Sequence, residues 1–422
     1  MFSRFKNNEL IKNSAYLIGS NGLAQLITLL MYPFIARLFA PGEFGQLAVI
    51  VSIHSLLTTA ASARYEQAIV LPEDDSRATD LFRIGWRIAV AVSLLIAPIV
   101  YLIGKAGFFP AESSLTRWFY LLGIMVLPAA VQQLGSGWCI RFRMFTVIAG
   151  ATLVMSVSNA LMKLGSGLLQ IEDGLIYSFV AAQVITALFL VARIKKYRKI
   201  PRGTSGMMET ARMYMNFPRY NLPTALLNNF SGNLPVYMLA LYFTEDITGQ
   251  FSVALALIFR PISTYNGSVY QVLMQKIVEL QHTGLPTWPI IRKYILQTLM
   301  VAAVPAVILV LLIPYLIEFY IGPNWEEAGI FSRLLIPYAA VSLLCGPLAF
   351  IPNMFNKQFN SLIIDIIYLL MRFGALAAGI VLKNVYLAVG LYALAGIVVF
   401  IYQIIWYRRL LIESDRNRVN RS

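Results

Sequence analysis

The chain has 422 residues, of which 58% are hydrophobic and only 13% are charged. Soluble globular domains carry roughly 25% charged residues, so this composition leaves too little polar surface for a water-soluble globule. It predicts an integral membrane protein. In a soluble protein the net charge of +14 would suggest nucleic-acid binding. The placement of the basic residues favours a different interpretation.

Twelve apolar segments are each long enough to cross a bilayer, which takes about 20 residues for a helix. They are longer than barrel strands and lack the alternation of such strands, so we predict an all-α membrane protein without a sizeable soluble domain. The predicted spans are 13–37, 44–71, 82–104, 116–140, 145–170, 174–193, 221–243, 248–275, 293–318, 330–352, 361–382 and 385–407.

The distribution of Lys and Arg predicts the orientation of these spans. With the N-terminus inside, the inner segments hold 24 basic residues, while the outer connections hold four, namely Arg37, Lys105, Arg117 and Lys383. Basic residues are retained on the cytoplasmic side of a membrane. We therefore expect a multi-pass protein with both termini in the cytoplasm and no nucleic-acid partner.

Few residues of the chain suit catalysis or metal binding. Cys139 and Cys345 lie in separate apolar segments, where they are expected to be packing residues. The two histidines, His54 and His282, form no Cys/His cluster. Without a nucleotide-binding motif or a Ser/His/Asp arrangement, we expect no enzyme activity, no metal site and no cofactor.

A polar linker divides the chain into two halves of six spans. We predict an N-terminal lobe at 1–200, a cytoplasmic linker at 201–220 and a C-terminal lobe at 221–422 with a short basic cytoplasmic tail. At an offset of 204 residues, Phe39, Gly45, Gln46 and Val49 match Phe243, Gly249, Gln250 and Val253.

This match predicts a parallel internal repeat, because six spans separate the two copies. Chance similarity between apolar segments is the alternative. Two lobes around a central cleft are typical of transporters, but enzymes are also polytopic, so the arrangement alone does not decide the function.

Ionisable residues at membrane depth usually face a cavity or a partner. Four such residues are basic and two are acidic, so a cavity that they line should favour an anion, and arginine is well suited to phosphate. The predicted substrate-cavity residues are Arg64, Lys163, Arg260, Arg372, Gln25, Asn229 and Gln271, and the predicted ion-coupling residues are Glu66 and Asp365.

Several of these residues belong to polar stripes at three- and four-residue steps, which place each stripe on one helix face. The stripes include Gln25 and Thr28 in span 1; Ser52, Ser55, Thr59, Ser62 and Glu66 in span 2; Ser156, Lys163 and Ser166 in span 5; Arg260, Thr264, Gly267 and Gln271 in span 8; and Asp365, Tyr368 and Arg372 in span 11. Packing between helices is an alternative interpretation of any single stripe.

Two charged pairs raise geometric questions. Arg64 and Glu66 are two residues apart, so in a regular helix they point to nearly opposite sides and share a cavity only if the helix is distorted. Asp365 and Arg372 lie on one face, but two turns separate them, which leaves a direct pair open.

Four segments carry a resemblance to a known family. They are Pro41-Gly42-Glu43-Phe44-Gly45-Gln46, Ala63-Arg64-Tyr65-Glu66-Gln67-Ala68-Ile69-Val70-Leu71-Pro72, Phe217-Pro218-Arg219-Tyr220-Asn221-Leu222-Pro223 and Gly249-Gln250-Phe251. The chain resembles the polysaccharide transporters, or Wzx-type lipid-linked oligosaccharide (O-antigen) flippases, of the multidrug/oligosaccharidyl-lipid/polysaccharide (MOP) exporter superfamily.

The resemblance implies a MATE-like fold in the bacterial inner membrane. It also implies a protein that flips undecaprenyl-pyrophosphate-linked repeat units by alternating access, for O-antigen or other surface polysaccharide. Its partners would be the lipid-linked oligosaccharide, membrane lipids and polysaccharide polymerase machinery. Arg64 and Glu66 are implied to matter, with Arg64 either binding substrate or bracing helices.

Two other functions remain as alternatives. A multidrug antiporter of the same superfamily should have an acidic, aromatic cavity for cations. A polysaccharide polymerase or ligase usually has a large outer loop, whereas the outer connections here are short. An H⁺ or Na⁺ gradient, or the substrate gradient itself, would have to drive transport.

Overall fold

The computed structural model describes residues 2–105, 114–197, 206–283 and 285–419, and within these ranges the regular structure is helical. These described residues form twelve helices of at least 20 residues. They are α1 (Phe2–Leu38), α2 (Pro41–Ala61), α3 (Asp75–Lys105), α4 (Ser114–Arg141), α5 (Phe145–Leu168), α6 (Gly174–Tyr197), α7 (Leu222–Tyr242), α8 (Glu245–His282), α9 (Trp288–Ile321), α10 (Glu326–Cys345), α11 (Gln358–Val381) and α12 (Val385–Val419).

Each predicted span overlaps one of these twelve helices. Among the described residues, nine helical segments are long and apolar enough to cross a membrane. These nine lie in α2 to α6 and α9 to α12, whereas α1, α7 and α8 are more polar. The all-α, multi-pass membrane fold predicted from the sequence is therefore confirmed.

The turns between helices show why the chain reverses where it does. Pro41 begins α2, and the Glu43 carboxylate accepts a hydrogen bond of 2.8 Å from the Ala40 N–H. The hydroxyl of Thr244 caps α8 by accepting from the Ile247 N–H at 3.2 Å. The N–H groups at the start of a helix lack partners within the helix. A side-chain acceptor at the cap satisfies one of them, and a proline in the first turn has no N–H that needs a partner.

The chain divides into two compact units, one ending at Tyr237 and one beginning at Met238. In the first unit α1 packs along α5, α5 along α6, and α4 against α2, α3 and α6. In the second unit α10 packs against α8, α9 and α12, and α11 packs along α12.

The backbone repeats itself between the two halves. α1 ends at Leu38 and α2 begins at Pro41, while α7 ends at Tyr242 and α8 begins at Glu245, so both boundaries differ by the predicted 204 residues. Later in the chain, left-handed residues flank α5 and α11 at a common spacing of 213 residues. They are Arg143 (φ 55°) and Gln170 (φ 50°) around α5, and Asn356 (φ 54°) and Lys383 (φ 51°) around α11.

The pairing of helices also repeats. α3 packs on α4 as α9 packs on α10, α5 on α6 as α11 on α12, and α4 on α6 as α10 on α12. The predicted internal repeat is therefore present in the fold, with nine more residues in the second copy between the two pairs of matched turns.

The structure corrects the predicted ends of two spans. Span 2 was expected to reach residue 71, but α2 ends at Ala61 and a short helix, Tyr65–Ala68, follows the break. Span 10 was expected to reach residue 352, but α10 ends at Cys345 and continues as a 3₁₀ turn, Gly346–Leu348. The segment after Cys345 remains apolar, so its hydropathy does not reveal the break. After Ala61 the polar residues Arg64, Glu66 and Gln67 come before the apolar residues 68–71.

The predicted linker at 201–220 is partly structured. Residues 201–205 lie outside the described residues. A short helix, Met207–Met213, and a π-helical turn, Phe217–Asn221, follow and lead into α7. The units divide within α7 rather than in the linker, because Asn229 and Tyr237 of α7 hydrogen-bond to α2. The lobe boundary drawn from the sequence stays a prediction.

Candidate functional site

The break after α2 brings Arg64 and Glu66 together. Ala63 and Arg64 have positive φ angles of 49° and 65°, a conformation that non-glycine residues rarely adopt. This distortion turns Arg64 towards Glu66, and the guanidinium Nη1 lies 3.4 Å from the carboxylate Oε1. The Ser62 hydroxyl donates to Oε2 of Glu66 at 2.5 Å. The condition for a shared location, a distorted helix, is thus met.

Arg141 of α4 holds the backbone that follows the break. Its guanidinium donates to the carbonyl oxygens of Ile69 (3.1 Å) and Pro72 (2.5 Å), and it pairs with Asp75 at 2.9 Å. Because a folded-back segment leaves carbonyl groups without helix partners, a buried fork of donors compensates for the lost bonds.

Two further contacts fix the surroundings of the break. A Cβ atom at Gly137 of α4 would collide with the carbonyl oxygen of Glu66, so only glycine allows this approach. At the end of the segment, Asp74 accepts hydrogen bonds from the amide and the hydroxyl of Ser76, which hold the pKa of the Asp74 carboxyl below its usual value.

The polar stripe of α2 is hydrogen-bonded to α7. The Asn229 side chain donates to the hydroxyls of Ser55 (2.8 Å) and Thr59 (3.1 Å). The Tyr237 hydroxyl donates to the Ser52 carbonyl at 2.9 Å. Asn229 is half-buried. The structure therefore places Asn229 as a contact between helices.

Polar residues of α1 and α5 also meet. The Ser156 hydroxyl donates to the Ala24 carbonyl at 2.8 Å and lies 3.2 Å from the Thr28 hydroxyl. Small polar residues of this kind join helices in membranes. Gln25 and Lys163 lie half-buried on these two helices. Packing accounts for Thr28 and Ser156, whereas the predicted roles of Gln25 and Lys163 stay open.

Arg372 of α11 lies in a cage of tyrosines. It is only 8% exposed, and its Nη2 donates to the hydroxyls of Tyr368 (2.5 Å) and Tyr338 (2.9 Å). Its guanidinium carbon is 3.8 Å from the Tyr368 ring centroid and 5.2 Å from that of Tyr392. These tyrosines come from α10, α11 and α12, so the cage joins three helices of the second unit.

The stripe on α8 has a different environment. Arg260, Thr264, Gly267 and Gln271 are all exposed along one side of the helix. No carboxylate among the described residues forms an ion pair with Arg260. Asp365 lies half-buried on α11. Of the four predicted cationic residues, Arg260 is the most accessible to a ligand.

Sequence reasoning missed Arg141, Tyr338 and Tyr392. The four-residue spacing of Tyr368 and Arg372 places both on one helix face and could have indicated the contact between these two residues. No local pattern indicates the others, because only helix packing brings them to their partners. Among the described residues no group of three metal-binding side chains occurs.

Comparisons with known proteins agree with this arrangement. The family described as polysaccharide biosynthesis protein matches residues 34–329, which is more than half of the chain. No curated protein sequence matches.

Several solved structures share the fold. The lipid II flippase MurJ, in an inward closed conformation, is 11% identical, with 95% of this chain and 90% of that chain covered and a TM-score of 0.74. An inward-facing multidrug resistance MATE family transporter of the MOP superfamily is 14% identical, with 93% and 96% covered and a TM-score of 0.67. A MOP superfamily transporter from Pyrococcus furiosus is 13% identical, with 96% and 95% covered and a TM-score of 0.59. The fold class and the resemblance drawn from the sequence are confirmed.

Proposed function

Since the chain belongs to the family of polysaccharide biosynthesis proteins, we propose that it flips undecaprenyl-pyrophosphate-linked oligosaccharide repeat units by alternating access. The repeat units would serve O-antigen or another surface polysaccharide. The protein would sit in the bacterial inner membrane with both termini in the cytoplasm. It would act without enzymatic chemistry and without a resident cofactor, next to the polymerase machinery that uses its product.

The exposed polar face of α8 carries this proposal. Arg260, Thr264, Gly267 and Gln271 form an exposed, largely polar face along about three turns of this helix. An arginine at membrane depth is costly against lipid, so such a face is expected to line a wet cavity. A guanidinium with no ion pair among the described residues is suited to a bidentate bond with a phosphate group.

The other candidates take different parts in the proposal. Arg64 and Arg372 are already bonded to Glu66 and to tyrosines, so we assign them to bracing helices. Asn229 braces α2 and α7. Lys163, Gln25 and Gln271 remain proposed cavity residues beside Arg260, and Asp365 remains a proposed ion-coupling residue.

A multidrug antiporter of the same superfamily is the second candidate function, since MATE transporters share the fold. It would need an acidic face for cationic drugs, whereas the exposed stripe of α8 carries an arginine. A polymerase or ligase ranks third.

The test is a leaflet assay in cells that lack the protein and any redundant flippase. Lipid-linked repeat units should accumulate on the cytoplasmic leaflet, and surface polysaccharide should disappear. Restoring the wild-type chain should reverse both effects. Normal surface glycan in the deleted strain would refute the proposal. Unchanged glycan together with a new sensitivity to cationic drugs would instead support the antiporter.

A further inference from the structure

A groove of about 350 Å³ lies along the last turns of α12. Its lining combines three guanidinium groups, one carboxylate and two apolar side chains. The residues are Ile405, Arg408, Arg409, Ile412, Glu413 and Arg416. The lining therefore has a net charge of +2, and Ile405 and Ile412 give it an apolar wall.

The length of α12 places this groove at the surface of the membrane. The helix begins at Val385, and a span of about 30 Å takes roughly 20 residues at about 1.5 Å per residue. The hydrocarbon layer should therefore end near Ile405. Arg408 and Arg409 then lie at the depth of the lipid headgroups, whichever side of the membrane this end occupies. Arg416 lies about two helical turns further out, and its long side chain, which tilts towards the helix N-terminus, extends back towards that layer.

The end of α12 is held in place by the start of α9. The Asp415 carboxylate accepts hydrogen bonds from the amides of Thr287 (3.0 Å) and Trp288 (3.0 Å) and from the Thr287 hydroxyl (2.9 Å). The Arg408 guanidinium lies over the Trp288 ring at 5.6 Å. Tryptophan is typical of the membrane interface. The groove is thus preorganised, which lowers the ordering cost of binding.

We propose that this groove binds the phosphate group of an anionic phospholipid. Arg409 and Arg416 are exposed and would donate hydrogen bonds to the phosphate oxygens. The acyl chains would contact Ile412 and Ile405 on their way to the hydrocarbon layer. A resident lipid at this position would fix α12 and α9 at one interface. The site does not depend on which substrate the protein carries.

The experiment measures binding of phosphatidylglycerol to the purified full-length protein in detergent by native mass spectrometry. Each arginine near an anionic headgroup contributes about fivefold, so the R409Q/R416Q variant should bind phosphatidylglycerol roughly thirtyfold more weakly. The matched control is R193Q, which removes an exposed arginine of α6 outside the groove. It should change binding less than twofold. Phosphatidylcholine has the same phosphate, but its choline cation cancels the net charge, so it should bind the wild type more weakly and lose less affinity than phosphatidylglycerol on R409Q/R416Q.

A second variant tests the same groove without removing an arginine. E413Q eliminates the carboxylate of the lining and should tighten phosphatidylglycerol binding about fivefold. The proposal is overturned if R409Q/R416Q binds this lipid like the wild type, or if R193Q weakens binding as much. It is also overturned if R409Q/R416Q loses undecaprenyl diphosphate in a parallel titration while it retains phosphatidylglycerol, because the groove would then belong to the substrate.

Discussion

Arg260 and Arg372 differ in the one property that separates a binding residue from a bracing residue. Arg260 is exposed on α8, whereas Arg372 is 8% exposed and bonded to two tyrosine hydroxyls. A buried guanidinium is tolerated only where hydrogen bonds and ring faces replace its water. Substitution of Arg372 should therefore lower stability, whereas substitution of Arg260 should lower transport and leave stability nearly unchanged.

Arg372→Ala should destabilise the protein by about 2–4 kcal/mol, because it empties a packed cage and removes charge-assisted bonds. The stability of Arg372→Lys should lie between that of Arg372→Ala and that of the wild type, since the charge remains while the stacking on Tyr368 is lost. Thermal unfolding in detergent, followed by tryptophan fluorescence, measures the effect. An unfolding midpoint equal to that of the wild type would show that the cage does not brace α10, α11 and α12.

Arg260→Ala should lower flipping at least about tenfold, the loss expected for a charge-assisted phosphate contact. Its stability should stay within about 0.5 kcal/mol of the wild type, as for other exposed positions. Arg260→Lys should retain part of the activity. Transport into proteoliposomes measures the rate, with Arg292→Ala as a control at an exposed arginine of α9. Wild-type transport by Arg260→Ala would transfer the cavity role to another residue.

The sequence indicates which residues are charged at membrane depth, but not how each charge is satisfied. The spacing of Tyr368 and Arg372 is readable in advance, whereas Tyr338 and Tyr392 reach the guanidinium only through packing of α10 and α12. Likewise, ideal helix geometry separates Arg64 from Glu66. The left-handed backbone at Ala63 and Arg64 brings Arg64 and Glu66 together. The sequence does not indicate this conformation, because neither residue is a glycine.

At the scale of elements, the close approach of α4 to the break after α2 should be sensitive to a single methyl group. Gly137→Ala places a Cβ against the carbonyl oxygen of Glu66 and should cost about 1–3 kcal/mol. Gly165→Ala on α5 is the matched control, because its Cβ meets no atom within 4 Å. It should stabilise its helix by up to about 1 kcal/mol. Equal unfolding midpoints of the two variants would contradict the close approach.

The bond between α2 and α7 can be measured by a double-mutant cycle. Asn229→Ala and Ser55→Ala should each destabilise the protein, and the double variant should lose less than their sum by about 1 kcal/mol, because they remove the same hydrogen bond. Asn229→Ala combined with Ser158→Ala, whose hydroxyl bonds to Val154 within α5, serves as the control pair. Additive losses for Asn229 and Ser55 would mean that their contact contributes nothing.

Element positions were largely predictable because each long helix coincides with an apolar run. The residues at which the helices end were less predictable. Arg64, Glu66 and Gln67 follow Ala61 before apolar residues resume at 68–71, but polar residues also occur inside other spans, so they do not reveal that the helix stops at Ala61. What stops it is a set of distant donors, above all Arg141, whose contacts with Ile69 and Pro72 depend on the packing of α4.

For the whole molecule, the two spacings of the repeat show what sequence comparison can detect. The 204-residue spacing is visible because α2 and α8 share Gly and Gln residues near their N-terminal ends. The 213-residue spacing joins Arg143 to Asn356 and Gln170 to Lys383, which share a left-handed backbone but no side-chain chemistry. Duplication therefore persists in backbone conformation after the residues that first adopted it have changed.

Transport by the molecule also needs a source of energy, and a carboxylate at membrane depth could couple it to an ion gradient. The two such carboxylates, Glu66 and Asp365, differ in their bonding partners. Glu66 is paired with Arg64 at 3.4 Å and accepts from Ser62, while Asp365 is half-buried on α11, where the nearby Arg372 already donates to two tyrosine hydroxyls. Glu66 is thereby tied into the break after α2, so we assign it a bracing role and expect Asp365 to be the coupling residue.

Collapse of the proton gradient in proteoliposomes should then slow flipping by the wild type. Asp365→Asn should flip at a rate that no longer responds to the gradient, since the amide cannot exchange a proton. Glu66→Gln should still respond, although it should unfold at a lower temperature because its ion pair with Arg64 is lost. A parallel Na⁺ gradient at constant pH serves as the control for ion identity. Flipping that is indifferent to both gradients would leave Glu66 and Asp365 as structural counter-ions, and the gradient of the substrate itself would have to drive transport.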